Sequence, residues 1–288
     1  MEASGVGAEA VLADQGATTA FVVAHPGHEL RLATWIARTR PLVFILAKGA
    51  RAGRSETRIQ ASRLLVEALG ATPSDLFGVA FDSEIYGWIM NRDVKVFSAL
   101  ADDLREAFVA RRVEFVVTDA WQNYNPVHDL THALARVAAA EASALTGRPV
   151  EVMDYPVVMG RLAHAPLGSE HSHIEQSSQD LAAKARLIDD YPDVADDVRA
   201  LDDAVGREAV SRETLHRPLN LETLRGPLDE APWYERHGEE RVRAGVYSDV
   251  LRWSHMAPIV AMLADRLSAA ESRSGSAVLP ALSPIAPL

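Results

Sequence analysis

TAFVVAHPGHELRLATWIART (residues 19–39) passes from an apolar run, through two histidines three apart, into a helical pattern. "TAFVVA" (19–24) reads as a strand buried on both faces, as in a parallel sheet. Beyond the corner, Leu30, Ala33, Trp35 and Ile36 fall on or near one face of a helix. Pro26 and Gly27 lie between the two patterns. They can turn the chain so that the imidazoles of His25 and His28 face one point.

The same alternation continues along the chain. "LVFILA" (42–47), "LFGVAF" (76–81), "VEFVVTD" (113–119) and "PVEVMDYP" (149–156) read as strands. Helices are predicted over 56–70, 93–112 and 126–145, with Gly70 ending the first and Pro126 suited to the first turn of the last. Repeated βα units imply a parallel sheet covered by helices. The expected fold class is therefore α/β: a Rossmann-like, mostly parallel sheet flanked by helices. Two more helices, over 174–191 and 247–270, form a helical C-terminal region expected to cap the strand ends. The stretch between them is polar and loop-rich. One domain is expected over 19–270, with 1–18 a flexible leader and 271–288 a flexible Ser/Pro/Ala-rich tail.

Bulk composition narrows the chemistry. The 288 residues carry a net charge of −11. That balance disfavours nucleic acid, whose phosphates call for clustered Lys and Arg, although plain solubility explains it equally. There is no cysteine, so a metal would have to use His, Asp or Glu. The same absence fits a cytoplasmic location. No apolar run is long enough to span a bilayer, and the first residues lack the pattern of a secretory signal. No Gly-x-Gly-x-x-Gly follows the first strand, which disfavours a nucleotide-binding reading.

In parallel sheets ligands bind beyond the carboxyl ends of strands. Residues 25–29 and 119–128 both follow strands and precede helices, so they are expected at one rim. Catalytic zinc typically has three protein ligands and an open position. His25 and His28 could supply two. "NYNPVHDLTH" (123–132) could supply the third, from His128 or His132, four apart on one helical face. The plain alternative makes His28 and His132 polar residues at helix starts.

"FVVAHPGHEL" (21–30) resembles the opening motif of the PIG-L/LmbE-like zinc-dependent deacetylases, the GlcNAc-PI de-N-acetylase kind, which reads Ala-His-Pro-Asp-Asp-Glu. "YNPVHDLTH" (124–132) resembles that family's later His-Pro-Asp-His element, and 233–259 is similar to the C-terminal segment of one branch. The resemblance spans most of 19–267 and implies the LmbE-like form of the fold. It implies His25, His28 and His128 as metal ligands. Both motifs are altered. His28 stands where the family has a ligating Asp, and Gly27 where it has the Asp general base. Asn125 replaces the His that steadies the oxyanion, and Val127 replaces an Asp. Glu29 and Pro126 are retained.

Two imidazoles and a carboxylate leave a zinc centre at about +1, and three imidazoles at about +2, which favours hydroxide from bound water near neutral pH. Asn125 can still donate an N–H to an oxyanion. Candidates for proton delivery to a leaving amine are Asp129, His132, Glu29 and His255; an interfacial helix position explains His255 as well. Arg58, Asp82 and Tyr124 are candidate substrate contacts, with Trp121 and Trp88 as pocket walls. The bland readings are a solvated helix face for Arg58, a turn for Asp82 and packing for the aromatics. "HAPLGSEHSH" (164–173) holds three histidines and reads as a surface loop, with a lid or a second metal site as the alternative.

The expected activity is hydrolysis, through a metal-bound water, of an amide or N-acyl C–N bond in a small amine or amino-sugar-like substrate. Zn2+ is the expected cofactor, with other divalent metals admitted because imidazole also suits Fe, Cu and Ni. The expected partner is a small-molecule substrate, with no nucleic acid or membrane, and a homo-oligomer is left open. The alternative is a diverged relative that runs non-hydrolytic metal-assisted chemistry or only binds metal and ligand.

Overall fold

The apolar runs become β1 (Thr19–Val23), β2 (Leu42–Ala47), β3 (Thr72–Ala80), β4 (Phe115–Asp119) and β5 (Glu151–Tyr155) in the computed structural model. It describes residues 18–49, 55–159, 167–168, 171–220 and 230–273. These strands pair in parallel in the order β3-β2-β1-β4-β5. Two short strands, β6 (His171–His173) and β7 (Thr214–His216), extend the sheet antiparallel beyond β5, in the order β5-β7-β6.

Helices cover both faces. They are α1 (Ala33–Thr39), α2 (Ser55–Ala68), α3 (Asp82–Met90), α4 (Val94–Arg111) and α5 (Pro126–Thr146). The C-terminal part adds α6 (Ser178–Asp190), α7 (Asp196–Val205), α8 (Arg207–Ser211), α9 (Trp233–Arg243) and α10 (Trp253–Arg273). Alternation along β1 divides the core. Ala20 and Val22 pack with α3, α4, α5 and α10, through Ile89, Leu104, Leu134 and Ile259. Phe21 and Val23 face the other side, against Trp35 and Ile36 of α1 and Val66 of α2. A third cluster joins Leu30 and Leu65 to Val194, Val198 and Leu201, seating the C-terminal region over the first corner. No helix of the described residues is long and apolar enough to cross a membrane.

Several boundaries differ from the sequence reading. β3 begins at Thr72, four residues early, and shifts register twice against β2. Phe81 leaves the strand to cap α3, which was not predicted; the Glu84 side chain accepts from the Phe81 N–H at 2.9 Å. The helix expected from 29 opens instead as a 3-10 turn, His28–Leu32, because Gly27 enters it at φ +104°. The stretch read as loop-rich carries α7, α8, β7 and α9. Part of "HAPLGSEHSH" is strand, with His171 and His173 exposed. α10 runs through Arg273, three residues into the segment read as tail. The remainder of that tail and residues 1–17 lie outside the described residues.

Candidate metal centre

Two strand ends build the site. β1 stops at Val23, and Ala24 still bonds to its neighbours: its carbonyl accepts from Ala47 N–H at 2.7 Å, and its N–H donates to Asp119 Oδ2 at 2.8 Å. Asp119 closes β4, so its carboxylate bridges two adjacent strand ends. The chain then turns through Pro26 and Gly27. A left-handed Gly27 is required, since a Cβ there would run into the carbonyl oxygen of Val194. Gly27 N–H donates to Glu29 Oε2 at 2.6 Å, and the Ser62 hydroxyl donates to the other oxygen. Glu29 is thus a buried brace of the corner. Burial pushes its carboxyl up to about 8.

On the facing loop, Asn125 caps α5, its Oδ1 accepting from Val127 N–H at 2.9 Å, with Pro126 in the first turn. This puts His128 one turn into the helix and over the β1 corner. His25, His28 and His128 are all buried, and each offers a nitrogen within 4.8 Å of the other two. His25 Nδ1 and His128 Nε2 are 3.0 Å apart. Ligand nitrogens on a tetrahedral zinc ion stand about 3.3 Å apart, so this pair already has close to ligand spacing.

Carboxylates orient two of the three rings. His28 Nδ1 lies 3.0 and 3.1 Å from the Asp119 oxygens, and His25 Nε2 lies 2.9 Å from Asp82 Oδ1. With these nitrogens as donors, His28 Nε2 and His25 Nδ1 carry the inward lone pairs, an arrangement usual for metal-ligating histidines. Burial works to raise the Asp119 carboxyl, yet the His28 ring that bonds it, the neighbouring His128 and the Ala24 N–H hold it down to about 2. Tyr155 adds a hydroxyl donor to Asp119 Oδ1 at 2.8 Å. Burial, then the neighbouring rings of His28 and His25, push His128 well below the ordinary imidazole value, which leaves it neutral. Three buried imidazoles, two of them backed by carboxylates, fit a borderline divalent ion.

Asp82 starts α3 and is the more open partner, its side chain 18% exposed against 0% for Asp119. Arg58 donates to the Pro26 carbonyl at 2.9 Å and acts electrostatically on Asp82. Tyr124 stacks on Trp233 at 4.5 Å and stands 6.4 Å from the His128 ring. Asn125 also lies near Tyr86 of α3. The structure thus brings Arg58, Asp82, Tyr124 and Asn125 around the imidazoles.

The proton-delivery candidates lie elsewhere. Asp129 is buried, its Oδ1 accepting from the N–H groups of Gln122 and Asn123 at 2.9 and 3.3 Å, and burial raises it to about 8. His132 turns Nδ1 to the Asp119 carbonyl at 3.0 Å, and burial lowers it to about 3. It is one turn beyond His128 yet is not among the clustered rings. His255 accepts from Arg252 N–H at 3.0 Å, with Arg92, Glu235 and Arg252 as its charged neighbours. Trp121 packs on His132 and Trp253, and Trp88 on Phe97, both as core walls.

Asp119, Tyr86 and Tyr155 had no role in the sequence reading. One signal was available for Asp119: an acid closing a buried apolar strand at the rim where the histidines were expected. Tyr155 closes β5 in register with it.

Among solved structures, the chain is similar to a deacetylase triple mutant, Orf2*T, of the teicoplanin biosynthetic pathway. Identity is 16% over 70% of this chain and 98% of that one, with a TM-score of 0.48. It is also similar to the A40926 pseudoaglycone deacetylase Dbv21, at 15% identity over 72% and 98%, with a TM-score of 0.44. The chain is similar to deacetylases. A further similarity is to GalB, the 4-carboxy-2-hydroxymuconate hydratase of Pseudomonas putida KT2440, at 14% identity over 82% and 93%, with a TM-score of 0.34. No protein-family model and no curated protein matches.

Proposed function

We propose that this chain is a metal-dependent hydrolase of the PIG-L/LmbE-like kind, acting on the amide C–N bond of a small N-acylated amine. The observation that carries the reading is the convergence of His25, His28 and His128, two of them braced by carboxylates, at the rim where the two family-like motifs meet. A divalent ion held there, with Zn2+ the first candidate, would polarise an acyl carbonyl and acidify water. The chain's own groups do the rest. Asp119 and Asp82 fix the tautomers of His28 and His25. Asn125, at the α5 N-terminus, has an amide that can donate to an oxygen gaining charge. Arg58 and Tyr124 orient the substrate at the open side.

Gly27 supports a second reading. The position of the family's general base is not merely short of a carboxylate; the Val194 carbonyl fills the space a side chain would need. Non-hydrolytic metal-assisted chemistry fits a centre without a base at that point. Protein purified without a metal-binding tag separates the two, by metal stoichiometry and by acetate release from a panel of N-acetyl amines. Metal with acetate release supports hydrolysis. Metal without acetate release supports the diverged reading. Absence of metal, unchanged by His28→Ala, removes both.

A further inference from the structure

The antiparallel hairpin at the far edge of the sheet carries a second group of histidines. β6 and β7 pair His171 with His216, Ser172 with Leu215, and His173 with Thr214. Side chains alternate across a sheet, so His171, His173 and His216 share one face. Leu215, between them, is buried in the core, which puts the three rings on the outer face.

We propose that His171, His173 and His216 form a second, surface site for a divalent transition-metal ion of the zinc, nickel or copper kind. The His171 and His173 rings are 5.0 Å apart and those of His171 and His216 are 5.5 Å apart, centroid to centroid. The corresponding separations in the buried centre are 4.8, 5.0 and 5.6 Å. His216 Nδ1 bonds the Gly168 carbonyl at 3.1 Å, and His173 Nδ1 faces the Thr214 hydroxyl at 2.8 Å. With Nδ1 as donor in both, each Nε2 keeps a lone pair, and the outer partner fixes the tautomer as in other histidine sites. All-imidazole donor sets suit Zn, Ni and Cu over Mg or Ca.

The two groups differ in preorganisation. Among the described residues, only the buried trio already has its nitrogens within 4.8 Å. The hairpin rings lie at the surface, two of them exposed, and close on the ion by turning about their side-chain torsions. The site is therefore the weaker of the two. It would cross-link two strands that otherwise share a three-residue ladder.

Zn2+ titration of the tag-free full chain by equilibrium dialysis tests this. Wild type should take up a tight equivalent and then a weaker one. The His171→Gln/His173→Gln double variant, altered only at exposed positions, should lose the weaker equivalent and keep the tight one. His28→Ala should keep the weaker one, and His216→Gln should weaken it. A double variant that titrates like wild type, a His28→Ala protein that binds no zinc, or a His216→Gln protein with the weaker equivalent unchanged would each overturn the proposal.

Discussion

The backbone carbonyl of Val194, from the turn before α7, occupies the place a side chain on Gly27 would need. A residue in the C-terminal region thereby leaves no room for a side chain at the Gly27 corner. Exchanging Gly27 for Asp would not place a carboxylate there without strain, because the backbone at φ +104° and the Val194 oxygen both oppose it.

Gly27→Ala should destabilise the fold without any change of charge. Overpacking costs about 1–3 kcal/mol, and a left-handed backbone adds about 1–2 kcal/mol for a residue with a Cβ. Urea unfolding of Gly27→Ala beside wild type measures the sum; equal midpoints would mean that the turn at Val194 yields freely.

Asp119→Asn should keep the sheet intact, since an amide oxygen can still accept from Ala24 N–H, while it loses the charge behind His28. Loss of such an outer partner typically costs 10–100-fold in metal affinity. Competition with a chromophoric chelator reads that factor directly, and an unchanged affinity would detach Asp119 from the centre.

Asp154 should contribute a loss of stability as pH rises from about 4 to about 8. Asp154 is buried, and burial outweighs the attraction of Arg136 to push its carboxyl up to about 8. Below the ordinary carboxylate value both folded and unfolded chains hold the proton. Above it the unfolded chain releases the proton while the folded one keeps it, so unfolding gains until the folded group titrates near 8. Asp154→Asn should leave stability at pH 4 nearly unchanged and raise it at pH 8. Unfolding curves across that range would show the variant gaining on wild type towards pH 8; a difference independent of pH would exclude Asp154 as a source.

Lys184 on α6 bonds Glu213 at 3.0 Å, both buried, and Glu213 also accepts the N–H groups of Thr34 and Trp35 at the start of α1. Removing one partner of a buried pair typically costs about 3–5 kcal/mol. Lys184→Ala should show a loss of that order by chemical denaturation, and a negligible loss would mean that Glu213 is satisfied without it.

Much of this was legible in the chain. β1, β2 and β4 are largely continuous apolar runs because both sheet faces are covered, β5 carries Glu151 and Asp154 among apolar residues, and their helices carry a clear apolar face. The rim itself followed from strand ends, while the choice of His128 over His132 came from the family resemblance. β3 was harder to bound: "TPSD" (72–75) is polar and begins with an exposed residue, so nothing marked it as strand. β6 and β7 are three residues each, too short for a period to register. Helical spacing put His128 and His132 on one face but could not say that His132 would turn to the Asp119 carbonyl. The filling of the Gly27 corner by Val194 joins residues far apart in sequence, and no local pattern encodes it.

The most direct measurement is Zn2+ binding to the tag-free His171→Gln/His173→Gln protein, with and without His28→Ala. One tightly held ion with an all-nitrogen protein ligand set by X-ray absorption, lost when His28 is replaced, is the expected result. No tightly held ion, or one indifferent to His28→Ala, would contradict the convergence of the three imidazoles on a single cation.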